Sequence, residues 1–269
     1  MRRRHNPGVP LPLLVPAAVG IAFLVLPLVG LVVRAPWSAL LPALAQREVG
    51  QALRLSLVSA TLATAVSIVL GVPIAWVLAR SEMRGRALLR ALVTVPLVLP
   101  PVVGGVALFL VLGRQGLLGR WLFTEFGVTI PFTTTAVVIA ETFVAMPFLV
   151  ISVEGALRAA DARFEDAAAT LGADRWTTFR RVTLPLVAPG VAAGAVLCWA
   201  RALGEFGATI TFAGNFPGTT QTMPLAVYLA LQHDPEAAIV LSLVLLVVSL
   251  STLLLLRDRW LRRSQVPLA

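Results

Sequence analysis

EDAAATLGADRWTTFRRVTLP, Glu165–Pro185, is the one polar, helix-patterned insert of any length in a chain of long apolar runs. With Phe164 just before it, Ala167, Ala168 and Leu171 recur at helical spacing. Gly172 supplies a helix stop, because a residue without Cβ turns left-handed at no steric cost. Asp174 is a good N-cap for a second short helix carrying Trp176, Phe179 and Val182 on one face, and Pro185 is expected to end it. The spacing predicts two short amphipathic helices set at an angle, a knob with an apolar face and a basic rim. Such a knob has to dock onto something. The alternative is an ordinary amphipathic surface loop.

Around this insert the chain is built for lipid. It has 269 residues, 58% of them hydrophobic and 13% charged. Several long uncharged runs at that composition argue for a polytopic membrane protein, all-α, with a single membrane domain over 1–269. Six spans are expected, at about 11–33, 53–79, 91–113, 133–153, 186–212 and 237–256, with a cytoplasmic loop at 154–185. Each meets the roughly 20 residues that cross about 30 Å of hydrocarbon. Arg2-Arg3-Arg4 before the first run also suits a secretory signal. The run exceeds the h-region length of about 7–15 residues and lacks a convincing small-residue cleavage site, so it reads as an uncleaved span. The second span is expected to kink near Gly71-Val72-Pro73.

The net charge of +9 comes from arginine alone, with no lysine in the chain. A nucleic-acid partner is not expected, because the arginines lie between apolar runs, where topology accounts for them. Sixteen fall at 2–4, 80–90, 158–181 and 257–263; four fall at 34–47 and 114–120. The richer side marks the cytoplasm, which places both termini and the knob inside. A phosphate-binding P-loop needs its lysine, so this chain carries no such ATP site of its own. The single Cys198 and two separated histidines leave no cysteine or histidine metal cluster, and no nucleophile–base set suggests an enzyme.

A faint internal echo pairs PLVLPPVVGG, Pro96–Gly105, with PLVAPGVAAG, Pro185–Gly194, identical at six of ten positions. Both lie where a span leaves the cytoplasm. A parallel repeat and chance are both open. Proline and glycine there are expected to break the helix, which lipid tolerates only under protein or water cover.

Arg201 and Glu205 lie in CWARALGEFGATITF, Cys198–Phe212, in the outer half of the fifth span. Their spacing puts them on one helical face, where they can pair. One reading is a pathway or gate lining, with Gly204 and Gly207 permitting backbone movement; the other is a structural ion pair that fixes packing. Glu141 in the fourth span either partners Arg201 or lines the path, or it makes a protonated, hydrogen-bonded helix contact. Thr209, Thr211, Ser56, Ser59, Thr61 and Thr64 are candidates for hydrogen-bonding a solute in the path or for holding helices together.

Two resemblances sharpen this. Asp166-Ala167-Ala168, three residues, Gly172, nine residues, Val182, one residue, Leu184-Pro185 resembles the "EAA" loop of ABC-importer permeases. The usual Glu is Asp166 here, with Glu165 one place earlier. The stretch RALGEFGATITFAGNFPGTTQTMPLAVY, Arg201–Tyr228, resembles the segment shared by molybdate-importer permeases, and Pro96–Gly105 does too. Sulfate permeases usually depart after the Gly-Glu-aromatic-Gly core. The resemblance implies a permease with a type I-like ABC importer fold, in the cell membrane of a prokaryote, working as a homodimer. Its partners would be a cytoplasmic ABC ATPase dimer, which holds ATP and Mg, and an extracytoplasmic oxyanion-binding protein. Glu165, Asp166, Ala167, Ala168, Gly172, Val182, Leu184 and Pro185 would form the ATPase-coupling loop. Arg201, Gly204, Glu205, Gly207, Thr209, Thr211 and Glu141 would form the path or gate. No cofactor is expected on this chain. Sulfate or tungstate import is the alternative within the class, and a self-sufficient secondary transporter the alternative outside it.

Overall fold

The computed structural model describes residues 11–261, with side chains over 12–252 and at Leu254. Arg2, Arg3, Arg4, Arg262 and Arg263, and the expectation that both termini are cytoplasmic, lie outside the described residues. Every regular element is helical, with no strand among the described residues. Five helices are long and apolar enough to cross a membrane, or six if one sharply bent pair counts as a span.

Helix α1 (Leu11–Val33) is exposed along nearly its whole length, and the short α2 (Trp37–Leu44) follows it. Helix α3 (Arg47–Arg80) begins six residues before the expected second span. At 1.5 Å per residue it is about 50 Å long and overshoots the hydrocarbon, so Arg54 sits near one end of it and not at mid-membrane. The kink expected at Gly71–Pro73 does not interrupt it. Gly71 serves close approach instead: a Cβ there would come within 2.8 Å of Leu149 on the neighbouring α7.

The third span departs most from expectation. It is two helices, α4 (Arg86–Val98) and α5 (Pro101–Leu112), set 116° apart. Pro100 and Pro101 donate no backbone hydrogen bond, and proline disfavours helical geometry in the residue before it, so the chain extends at Leu99 and Pro100. Helix α6 (Gly119–Phe126) is a short outer element, closed by Gly127 at φ +66°.

Helix α7 (Thr134–Ala159) is capped by Thr133, whose hydroxyl accepts from Ala136 N–H. It runs six residues past the expected fourth span, so the segment 154–159 is helix and not loop. After α8 (Arg163–Thr170), helical structure resumes at α9 (Arg175–Thr178). It passes through a π-helical turn at Phe179–Thr183 into α10 (Leu184–Leu203) without interruption. The expectation that Pro185 ends the second knob helix is therefore wrong. The wider π turn bonds Leu184 N–H to Phe179 O and relieves the clash a proline ring makes with the preceding turn. Nor does Pro189 break α10, so the two halves of the sequence echo differ in structure. The fifth span ends instead at Leu203; after Gly204–Phe206 the chain forms the short α11 (Gly207–Phe212). Helices α12 (Met223–His233) and α13 (Pro235–Leu261) complete the described chain.

The core lies where α7 packs between α3 and α10. Its residues are small: Ala60, Ala63 and Ala75 of α3, Ala145 of α7 and Ala202 of α10 are fully buried. Lipid tails are as apolar as leucine, so close backbone approach drives association here. On α10 the Gly190-x-x-x-Gly194 face meets α7, and Ser152 Oγ donates to Gly190 O at 3.1 Å. A Cβ on Gly190 would stand 2.3 Å from Ala156 Cβ, which has no rotamer to yield. Gly190→Ala should therefore cost about 1–3 kcal/mol by overpacking. Thermal unfolding in detergent should show a lowered midpoint, whereas the control Gly20→Ala, on an open face of α1, should not.

Candidate functional site

The knob is real, and it stands on a charged stalk. Glu165 and Asp166 occupy the first turn of α8, where the helix dipole favours carboxylates. Glu165 turns inward. Its Oε1 accepts from Arg80 Nη2 at 3.1 Å and from Thr183 Oγ1 at 3.0 Å. Arg80 also donates to Ala160 O at 3.4 Å. One carboxylate thus joins the knob to the end of α3 and the root of α10. Behind this clamp a cavity of about 530 Å³ opens, lined by Trp76, Arg80, Asp166, Ala169 and Phe179 among others. These polar bonds, together with Phe179 packed against the main core, tie the knob to the body. Asp166, which occupies the usual Glu position, is exposed. The adjacent acids therefore have opposite placements, and sequence spacing alone does not reveal which one turns in.

Local stereochemistry follows the sequence closely. Gly172 has φ +82°. Ala173 N–H bonds Ala168 O and Gly172 N–H bonds Ala169 O, the paired bonds that close a helix with a left-handed residue. Asp174 Oδ1 accepts from Thr177 N–H at 2.6 Å and caps α9. That bond holds the Asp174 carboxyl below the usual carboxylate range. A lowered folded pKa stabilises the cap above the unfolded value, and the gain is lost as pH falls through the folded one. Leu171 is 88% exposed and Trp176 66%. Trp176 stacks on Phe179, ring centroids 5.8 Å apart, and Phe164 is also exposed. Ala167 is exposed, and Ala168 and Val182 are half-buried. The knob presents apolar side chains on a basic, polar segment. Leu184 and Pro185 are part of one helical rod, so no hinge separates the knob from α10.

The second cluster is the break in the fifth span. Arg201 Nη1 lies 2.6 Å from Glu205 Oε2, and Glu205 Oε1 accepts from Ala208 N–H at 2.9 Å. The residues pair as their spacing suggests, but not on one continuous helix. Glu205 stands in the break, tied back to the last turn of α10 and forward to the first turn of α11. It is 1% exposed, while Arg201 keeps about a quarter of its side chain accessible. Gly204 is exposed and Gly207 buried. Helix α5 covers this break. A Cβ on Gly105 would fall 1.7 Å from Thr211 Oγ1 and 2.7 Å from Ala208 O, and one on Gly207 would meet Pro101 at 2.8 Å. Thr211 Oγ1 donates within its own turn to Gly207 O at 2.9 Å and lies 3.4 Å from Val102 O. The α5–α11 seam is thus closed at van der Waals distance.

Other candidates lie deeper. Thr209 is fully buried, its hydroxyl without a partner among the described residues. Glu141 is buried on α7 and accepts from Ser59 Oγ of α3 at 2.8 Å; its partner is Ser59, not Arg201. Ser56 accepts from Met223 N–H, Thr61 accepts from Trp199 Nε1, and Thr64 bonds Ala60 O within its own helix. Ser56, Ser59 and Thr61 thus tie α3 to its neighbours, and Thr64 does not. No cluster fit to hold a metal ion occurs among the described residues. The sequence reading missed α5 as the cover of the break, and it missed Glu154, which it placed in a loop. The pair Pro100-Pro101 was the available signal for the first, and a glutamate four residues before Arg158 for the second.

Residues 67–265 match the family described as the binding-protein-dependent transport system inner membrane component. The chain is 52% identical over 234 residues to "Molybdenum transport system permease protein ModB" of Mycobacterium tuberculosis, covering 87% of this chain and 88% of that protein. It is 35% identical over 252 residues to "Sulfate transport system permease protein CysT" of Escherichia coli, covering 92% and 91%. Its fold matches a chain in the crystal structure of a bacterial alginate ABC transporter in complex with an alginate pentasaccharide-bound periplasmic protein. The TM-score there is 0.70 at 18% identity, over 94% of both chains. The chain belongs to the binding-protein-dependent transport system inner membrane component family. It is a multi-pass transport component of the inner membrane.

Glu205→Gln keeps an acceptor for Ala208 N–H and loses the ion pair; Glu205→Ala loses both. The glutamine variant should assemble normally and transport poorly. The alanine variant should also lose about 1.5–3 kcal/mol of stability, the range for a charge-assisted bond. Equal melting temperatures for the two would contradict the capping role.

Proposed function

We propose that this chain is the permease subunit of an ATP-driven importer of molybdate, a tetrahedral dianion, and that two copies form the path. A cytoplasmic ABC ATPase dimer holds ATP and Mg. An extracytoplasmic oxyanion-binding protein delivers the anion to the outer face. The observation that carries the coupling role is the knob: exposed Leu171 at the end of α8 and exposed Trp176 on α9, the start of the rod that ends at Leu203, just before Glu205. Closure of the ATPase pair displaces the knob. Rod α9–α10 carries that displacement to the break, and α7 takes it up at the knob's other root. The Arg201 guanidinium, partly accessible beside the break, is the positive charge an oxyanion would meet. One arginine per copy gives passage without tight retention.

The substrate assignment is supported by the 52% identical relative named for molybdenum transport, against 35% for the one named for sulfate. Uptake of labelled molybdate by the complex reconstituted with its ATPase and binding protein is expected, with sulfate a poor competitor. Sulfate uptake that excess molybdate leaves unchanged would overturn the assignment. Transport by this chain alone, driven by a proton gradient, would overturn the ATPase-coupled reading.

Gly172→Val tests the knob. No atom lies within 4 Å of its Cβ position, so the cost is backbone strain, about 1–2 kcal/mol for a left-handed non-glycine residue. The variant should insert and hydrolyse ATP while uptake falls, and Gly172→Asn, better tolerated in that conformation, should retain more of it. Normal uptake by the valine variant would contradict the coupling role.

A further inference from the structure

We propose that Glu154 is a positioning residue for transport: with Arg90 it ties the coupling end of α7 to α4–α5, the bent arm that covers the break. The proposal rests on the ATPase-coupled reading and adds a third element to it. Glu154 is 8% exposed and lies near the end of α7 that leads into the knob. Its Oε1 receives Arg90 Nη2 from α4 in a short ion pair. The same oxygen receives Arg158 Nε at 2.9 Å and Nη2 at 2.8 Å from one turn along α7. Arg158 Nη2 also reaches Leu78 O of α3 at 3.3 Å. A single carboxylate gathers two guanidinium groups and joins three helices. A second carboxylate at this end, Glu165, is engaged by Arg80.

The arrangement matters because α4 has little else to hold it. No residue of α4 is fully buried. Its apolar contacts with the core are limited to partly buried residues such as Leu89 and Val93. The Arg90–Glu154 pair is therefore its principal polar tie to α7. Beyond Val98 the chain turns through 116° at Leu99-Pro100, and two consecutive prolines fix φ there. The bend is stiff, so movement of α4 is passed to α5 and not absorbed. Helix α5 then meets α11 in direct contact at Gly105, so a shift of α5 is felt at the break. Displacing the knob end of α7 thus moves α4 through one ion pair, and α4 moves the cover of the break.

The test uses Arg90→Ala, Glu154→Gln and the double variant. Each is reconstituted in proteoliposomes with the partner ATPase and binding protein, and molybdate uptake per ATP hydrolysed is measured. Each single variant should lower that ratio by about two- to thirtyfold, the range for residues along a coupling network, with ATP hydrolysis retained. The double variant should be no worse than the worse single one, because both remove the same link. Arg90→Lys, which restores a positive charge, should recover part of the ratio. A purely structural role would reduce complex yield, hydrolysis and uptake in parallel and leave the ratio unchanged, which overturns the proposal. Strictly additive losses would overturn it too. Wild-type uptake independent of ATP would sink the underlying coupled reading, while a coupled wild type with a normal Arg90→Ala ratio would sink only this link.

Discussion

A helix can be interrupted inside lipid only where other protein covers the freed backbone groups. This chain interrupts two, at Leu99-Pro100 and at Gly204–Phe206, and packs the segments that follow against each other. Helix α5 lies over α11 at Gly105 and Gly207, while Glu205 satisfies Ala208 N–H from within the second break. Neither interruption would survive alone in hydrocarbon. The same mutual cover makes a seam whose halves belong to different levers, one leading to α4 and the other to α10.

Around that seam the fold divides labour by chemistry. The α3–α7–α10 core is built from alanines, glycines and hydroxyls, which permit close and rigid packing. At the knob end the ties are ionic: Arg80–Glu165–Thr183 under the knob and Arg90–Glu154–Arg158 at the root of α7. Directional polar contacts can be re-aimed by a small displacement, whereas a packed alanine interface resists one. A partner bearing on Leu171 and Trp176 therefore acts on a segment held by bonds suited to movement, attached to rods suited to transmitting it.

What was legible in the sequence was local or long-ranged in composition. Gly172 and Asp174 could be assigned because a left-handed stop and an N-cap are decided by a few neighbouring residues. The apolar runs marked where the long helices lie, but not their ends or the bend in the third. Proline was not legible in the same way. Pro100 and Pro101 end a helix, Pro185 sits in a π-distorted rod, and Pro73 and Pro189 are carried within helices. The ring's cost is the same each time, and tertiary packing decides whether it is relieved or spent on a bend. The inward turn of Glu165 and outward turn of Asp166 escaped for a like reason, since Arg80 is eighty-five positions away from its partner. The Arg201–Glu205 pair was expected on a continuous helix; the break that gives Glu205 its second bond depends on α5.

The central claim is that the α5–α11 seam moves when a cytoplasmic ATPase closes on the knob. Cysteines at Val102 and Thr211, in a chain whose buried Cys198 is replaced by alanine, report proximity across that seam by disulfide crosslinking. In the complete reconstituted complex the crosslinking yield should differ between the nucleotide-free and ATP-trapped states. An unchanged yield in a complex that still hydrolyses ATP and takes up molybdate would contradict the account.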